Sequence, residues 1–270
     1  MNANPMAEAS ILQAAEILGQ LRAAPVAFGG LPDVCRPTDA AAAYDVQDAL
    51  HQWFADQGFG QPIGYKIGCT TPVMQRYMGI EYPCAGGIFA QRLHHSPAEI
   101  DCASLHRPGV ECEIAVEMGN PLDARKNAVG HGEAADAIAA LYPAIEVVDD
   151  RYQDMMSIGT PTLIADDFFQ SAAILGPRNA DWRSLDLGAA SGRMVVNGAE
   201  VGSGRGADVL GHPLNALIWL AEHLGARGRA LEEGTIILLG SLVQCQWLEP
   251  GDTAAIEIDG LGAASAKFNP

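Results

Sequence analysis

Near the start of the chain apolar residues recur at a helical interval, with Ile11, Leu12, Ala15, Leu18 and Leu21 on one face. A connection rich in Gly and Pro follows, from Ala24 to Pro37. Thr38 then stands as N-cap of a second predicted helix, whose stripe is Val46, Leu50 and Trp53 or Phe54 and whose stop is Gly58. After Pro62 the period changes to two: Ile63, Tyr65 and Ile67 alternate with Gly64, Lys66 and Gly68, a strand pattern. Thr71-Pro72 opens a short helix through Tyr77. A strand is expected over Val110 to Met118, a helix over Glu133 to Tyr142, and a strand over Ala144 to Val148.

The last third reads as mostly β. Asn197-Gly198 marks a hairpin turn after Met194 to Val196. A helix begins at Pro213, buries Leu214, Leu217, Ile218, Ala221 and Leu224, and ends at Gly225. Four short strands close the chain, at Thr235 to Leu239, Leu242 to Trp247, Thr253 to Ile258 and Ala264 to Phe268. Helices first and strands later, without βαβ alternation, predict an α+β fold with a β-rich catalytic region. The expected division is an N-terminal helical region over 1–75 and a β-rich catalytic region over 76–270.

Composition narrows the function classes. Sixteen Lys and Arg against 33 Asp and Glu give 270 residues a formal charge of −17, a field that repels nucleic acid and anionic membranes. With 49% hydrophobic and 18% charged residues, the chain has ample apolar surface to fold. The N-terminus lacks the basic flank and apolar run of a signal peptide, and no apolar run is long enough to span a bilayer. Six cysteines without Cys-x-x-Cys or zinc-ligand spacing fit a reduced interior. The expectation is a soluble, cytoplasmic protein.

Candidate chemistry centres on Gly109 to Met118. On a strand, Glu111 and Glu113 share a face roughly 7 Å apart. Two carboxylates so placed repel unless a cation such as Mg²⁺ or Mn²⁺ lies between them; an ordinary solvated strand face has the same pattern. Glu146, inside Ala-Ile-Glu-Val-Val, needs a proton, an arginine or a metal, and Arg151 is the candidate partner in a structural account. Lys66 has glycines as its same-face neighbours, which leaves room for a ligand or marks a surface lysine between turns. Asp166-Asp167 reads as a solvated turn or an acid pair. Gly202 to Gly206 lacks the Gly-Lys-Ser/Thr ending of a phosphate loop. His94-His95 reads as solvent-facing, and Asp208 and His212 as capping residues.

Several of these segments together resemble the fumarylacetoacetate hydrolase superfamily, in its 2-keto-4-pentenoate hydratase and 4-oxalocrotonate decarboxylase branch. They are Gly64 to Gly68 with Met74-Gln75, Glu111-Cys-Glu113, Ala144 to Asp149, Ala165-Asp166, Gly204 to Pro213 running into Leu217 to Ala221, Leu239-Gly-Ser and Pro250-Gly-Asp. The resemblance implies a mixed β-roll, a homo-oligomer, and Mg²⁺ or Mn²⁺ held by Glu111, Glu113 and Glu146. It further implies Lys66 and Asp166 as catalytic groups and Gln75 and Ser241 as substrate contacts; this chain's own Asp167 is a further candidate acid, and Phe168, with Phe169, points to a substrate with an apolar or ring-bearing tail. Two departures stand out. Pro83-Cys84-Ala85-Gly86 replaces the branch's Pro-Asp-x-Gly, and Asp167-Phe168-Phe169 replaces an Asn with small residues and a serine.

The implied activity is a metal-dependent lyase of a small 2-hydroxydienoate or 2-oxo-alkenoate, most simply a catabolic hydratase. Lys66 assists ketonisation, and an acid such as Asp167 orients the attacking water. Decarboxylation of a 2-oxo-enedioate and C–C hydrolysis of a diketo acid need the same enolate stabilisation. A non-catalytic scaffold is the reading from another class.

Overall fold

The computed structural model describes residues 6–23 and 26–270. Helix α1 (Glu8–Ala23) buries Ala15, Leu18 and Leu21 of the predicted face together with Ala14, whereas Ile11 is only partly buried and Leu12 is exposed. Asp39 rather than Thr38 caps α2 (Ala40–Asp56), because its carboxylate accepts the Ala42 N–H at 2.9 Å. Residues 24 and 25 of the predicted connection lie outside the described residues. Then come β1 (Pro62–Gly68), α3 (Pro72–Met78) with Thr71 as its cap, and β2 (Cys84–Phe89). Short strands β3 (Leu93–His95) and β4 (Ala98–Asp101) precede the long β5 (Pro108–Met118).

The helix expected over Glu133 to Tyr142 forms only as α4 (His131–Asp136), and β6 (Ile138–Asp149) takes the rest. The spacing of Ala134, Ala137, Ile138 and Leu141 fits a helix, but pairing with β5 from Met118↔Ile138 to Pro108↔Asp149 overrides it. Helices α5 (Met155–Ile158) and α6 (Thr160–Ala165) lead to β7 (Gln170–Leu175). The hairpin of β8 (Ser191–Val196) and β9 (Ala199–Arg205) turns at Asn197-Gly198 as expected. His212 caps α7 (Pro213–Ala226), which runs one residue past Gly225. Two of the predicted strands are one, β10 (Ile236–Trp247), whose register shifts around Gly240 at φ +115°. Strands β11 (Thr253–Ile258) and β12 (Gly262–Asn269) complete the chain.

Seven strands form one sheet in the order β2-β1-β10-β5-β6-β7-β3, and five form a second, β4-β12-β11-β8-β9. Strand β1, N-terminal to the expected boundary at residue 75, lies inside the larger sheet between β2 and β10. That sheet's two faces differ. The outer face packs on the helices and the second sheet through Val110, Cys112, Ile114, Ile145 and Val147. The inner face carries a separate cluster of small and branched residues, among them Ile88, Ala115, Ala144, Ala173 and Leu238. These fill one end of the roll; further along the same strands the apolar alternation gives way to Lys66, Glu111, Glu113 and Glu146.

Helix α7 docks on α2 through an ionic and aromatic seam. Arg227 and Arg229 reach Asp48 at 2.8 and 2.7 Å, and His223 stacks on Trp219 and lies 4.3 Å from the Tyr44 ring. Burial, then the charges of Arg227 and Arg229, lower the His223 pKa to about 4. The unfolded chain therefore takes up this proton first as pH falls, so stability should drop between about pH 6.5 and pH 4. Denaturant midpoints measured across that window should show a shallower slope for His223→Gln. Equal slopes would mean that the ring titrates normally.

Candidate metal centre and its surroundings

Antiparallel pairing sets Glu111 directly opposite Glu146, and Glu113 follows two residues along β5. Glu113 and Glu146 are fully buried and Glu111 partly so. One carboxylate oxygen from each lies within 4.8 Å of the others. Like charges facing each other across a ladder are destabilising. Burial, then Glu146, raises the Glu111 pKa to about 7; burial, then Glu146 and Glu111, pushes that of Glu113 well above the carboxylate range.

Each carboxylate is only partly satisfied. Glu113 Oε2 accepts the Gly240 N–H at 2.7 Å, a contact made by the break in β10. Lys66 Nζ lies 3.1 Å from Glu146 Oε1. Burial opposes the ammonium charge, but Glu146, Glu111 and Glu113 outweigh it and raise the lysine's pKa. Glu113 Oε1 and Glu146 Oε2 remain buried without any hydrogen-bond partner. An all-oxygen donor set with orphaned, converging lone pairs suits a hard divalent cation.

The structural account in which Arg151 neutralises Glu146 is overturned. Glu146 points into the roll, whereas Arg151, past the end of β6, pairs with Asp166 at 2.9 Å and Asp149 at 3.8 Å. The glycines flanking Lys66 serve neighbouring protein atoms rather than a ligand. A Cβ on Gly64 would lie 2.1 Å from the Ile236 carbonyl oxygen, and one on Gly68 would lie 3.2 Å from the Phe168 ring. Phe168 lies over the lysine, with Nζ 5.7 Å from its centroid. At Cys84, where the branch carries aspartate, the neighbouring Cys69 and burial push the thiol well above the ordinary range.

Asp166 and Asp167 are no solvated turn, since both are fully buried. Asp166 accepts from Arg22, Arg151 and the Tyr152 hydroxyl at 2.7–3.0 Å. Asp167 meets Arg22 at 3.0 Å, His51 at 2.7 Å and the Gly87 N–H at 2.8 Å. Against burial, His51 and Arg22 hold its pKa down to about 2. The carboxylates expected to move protons or orient water lie on a turn held by these cations, and Asp167 Oδ2 has no hydrogen-bond partner beside its ion pair. Asp167, Phe168 and Phe169 all have positive φ, 53°, 50° and 70°. Gln75 and Ser241, expected substrate contacts, are also engaged locally. Gln75 Nε2 donates to Cys69 O at 3.0 Å, and Ser241 Oγ donates to Val243 O at 2.6 Å while accepting the Cys112 N–H at 3.1 Å. Arg22 and His51 escaped the sequence reading, because 144 and 116 residues separate them from the acids they hold.

The fumarylacetoacetate (FAA) hydrolase C-terminal model matches residues 93–269. The chain belongs to the fumarylacetoacetate hydrolase family. Within the family it falls in the hydratase and decarboxylase branch. A 2-keto-4-pentenoate hydratase of Burkholderia vietnamiensis is 34% identical over 259 residues, 96% of this chain and 97% of that protein. A 4-oxalocrotonate decarboxylase of Pseudomonas putida is 33% identical, covering 84% of this chain and 85% of its own. The solved 4-oxalocrotonate decarboxylase from Pseudomonas putida G7, complexed with magnesium and adipate, superposes with a TM-score of 0.92 at 30% identity, over 98% of this chain and 100% of that one. The expected α+β roll is thus the observed fold. Among the described residues no helix is long and apolar enough to cross a membrane.

Proposed function

We propose that this fumarylacetoacetate hydrolase family member is a cytoplasmic, homo-oligomeric, Mg²⁺- or Mn²⁺-dependent hydratase of a small 2-hydroxydienoate or 2-oxo-alkenoate. The observation that carries the reading is the set of three converging glutamates with two orphaned buried oxygens beside a buried lysine. Glu111, Glu113 and Glu146 would hold the cation, which when bound supplies Lewis-acid polarisation of the α-keto acid's oxygens. Lys66 keeps its proton at Nζ and presents it as a hydrogen-bond donor where enolate charge develops. Phe168 and the apolar inner end of the roll exclude water from the opposite side. The net change adds one water across a C=C bond, hydroxyl to one carbon and proton to the other.

The test follows dienoate absorbance with Mg²⁺ or Mn²⁺ present. Lys66→Met is expected to keep the metal and lose about 10²- to 10³-fold in kcat, the scale of one lost oxyanion donor. Unchanged turnover in that variant would sink the role given to Lys66. The superposition on the decarboxylase favours a second reading, decarboxylation of a 2-oxo-enedioate on the same cluster. Release of CO₂ with a dioate, and none of the hydrated product with a monoacid, would select it.

A further inference from the structure

A cavity of about 340 Å³ is bounded by α1, α2, the end of β2 and the start of β7. It shares no residue with the glutamate cluster. Its lining is cationic in a chain whose net charge is −17: Arg22, Arg92 and Arg151 face it, against Asp149 alone. Asp149 is already engaged, since its Oδ1 accepts the His106 and Arg107 N–H groups at 2.9 and 2.8 Å. Arg22 and Arg151 are committed to Asp166 and Asp167.

Arg92 is not committed. Among the described residues its half-buried guanidinium has no hydrogen bond or ion pair, only the charges of Arg22, Arg151 and Asp149 at longer range. Burial and the two like charges lower its pKa, which states the same unmet need for an anion. A second donor is equally idle. Gln170 is 1% exposed, lines the cavity, and its Nε2 has no partner. A buried donor without an acceptor is costly. Trp53, Phe59 and Phe89 give the wall aromatic surface beside small and hydroxyl side chains such as Ala103, Ser104 and Ser171.

Uncommitted donors and flat apolar surface in one lining describe a ligand with an anionic end and an apolar body. We propose that this cavity binds a small monocarboxylate with a planar apolar body, its carboxylate on Arg92 and Gln170 and its ring or chain against Trp53, Phe59 and Phe89. The volume falls within the range of small-molecule sites. Inorganic phosphate would satisfy the donors but leave the aromatic wall bare.

Benzoate is the probe, titrated calorimetrically into the Mg²⁺-loaded protein and into Glu113→Gln, which removes binding at the glutamate cluster as an explanation. Expected are one saturable benzoate per chain in Glu113→Gln and at least about tenfold weaker binding of benzamide. Arg92→Ala in the same background should also bind at least tenfold more weakly, as for a lost charge-assisted bond. Arg92→Lys should keep part of the affinity; if Arg92→Ala proves misfolded by circular dichroism, this variant and benzamide carry the test. No saturable binding in Glu113→Gln, or equal affinities for benzoate and benzamide, would overturn the proposal. So would a folded Arg92→Ala that binds as the parent does. None of these outcomes bears on the hydratase reading, which stands or falls on dienoate turnover.

Discussion

Glu113→Gln is expected to stabilise the metal-free protein while abolishing its response to metal and about 10³-fold of its turnover. The two halves of this result have one cause. Glu113 is fully buried and shares its surroundings with Glu111 and Glu146, so each ionised carboxylate disfavours the others. Glutamine has the shape of the protonated acid. It retains an oxygen for the Gly240 N–H that now reaches Glu113 Oε2 at 2.7 Å. Removing the need to bury or neutralise one carboxylate should therefore raise metal-free stability by about 1–3 kcal/mol, because either is costly in these surroundings. With metal the order reverses. A site bound at a hundred times its Kd adds about 2.7 kcal/mol to the parent, whereas two carboxylates and an amide hold a hard cation poorly. Urea midpoints with and without Mg²⁺ give both numbers, and metal content after gel filtration gives the occupancy. A Glu113→Gln protein that is less stable without metal, yet still gains stability from it, would mean that the carboxylates are structural and that the cation binds elsewhere.

Much of this centre was legible in the chain. Strand alternation alone placed Glu111 and Glu113 on one face, and the apolar flanks of Glu146 marked it as a buried charge needing a partner. Alternation could not tell which face is the inside of the roll. That depends on β1, β10 and β6 being neighbours of β5 or of one another, and β10 returns from the far end of the chain to lie between β1 and β5. Arg151, the partner of Glu146 in the structural alternative, is near it in sequence, whereas Lys66 is near it in space. Strands β2 and β7 were missed because they are buried along their length and rich in Gly and Ala, with no polar alternation to show a period. Helix α6 was missed for want of length, at six residues. The Asp166-Asp167 pair was misread for a further reason: adjacent acids look solvated unless their cations are known, and Arg22 and His51 come from helices in the first quarter of the chain.

That pair sets the other large effect. Asp166→Asn is expected to cost about 3–5 kcal/mol of stability, because it leaves the buried Arg151 and the partly buried Arg22 facing a neutral amide. Oδ1 of Asp166 takes Arg22 Nε at 2.8 Å, Oδ2 takes Arg151 Nε and Nη2 at 3.0 and 2.9 Å, and Tyr152 adds its hydroxyl at 2.7 Å. An amide keeps one acceptor oxygen, and its NH₂ group confronts the guanidinium on the other side. The damage should travel along the chain. Asp167 to Phe169 stand in the left-handed region, costing about 1–2 kcal/mol per residue, and the Arg22 contact to Asp167 helps to hold them there. Loosening that segment moves the Phe168 ring off Lys66, so kcat should fall together with stability even at temperatures where the variant stays folded. Arg22→Met combined with Asp166→Asn should cost less than the sum of the two, as expected of groups in one network. An acid that served only in proton transfer would give the opposite pattern, with kcat lost, the urea midpoint unmoved and no coupling to Arg22. A midpoint shift equivalent to less than about 1 kcal/mol would therefore overturn this anchoring role for Asp166.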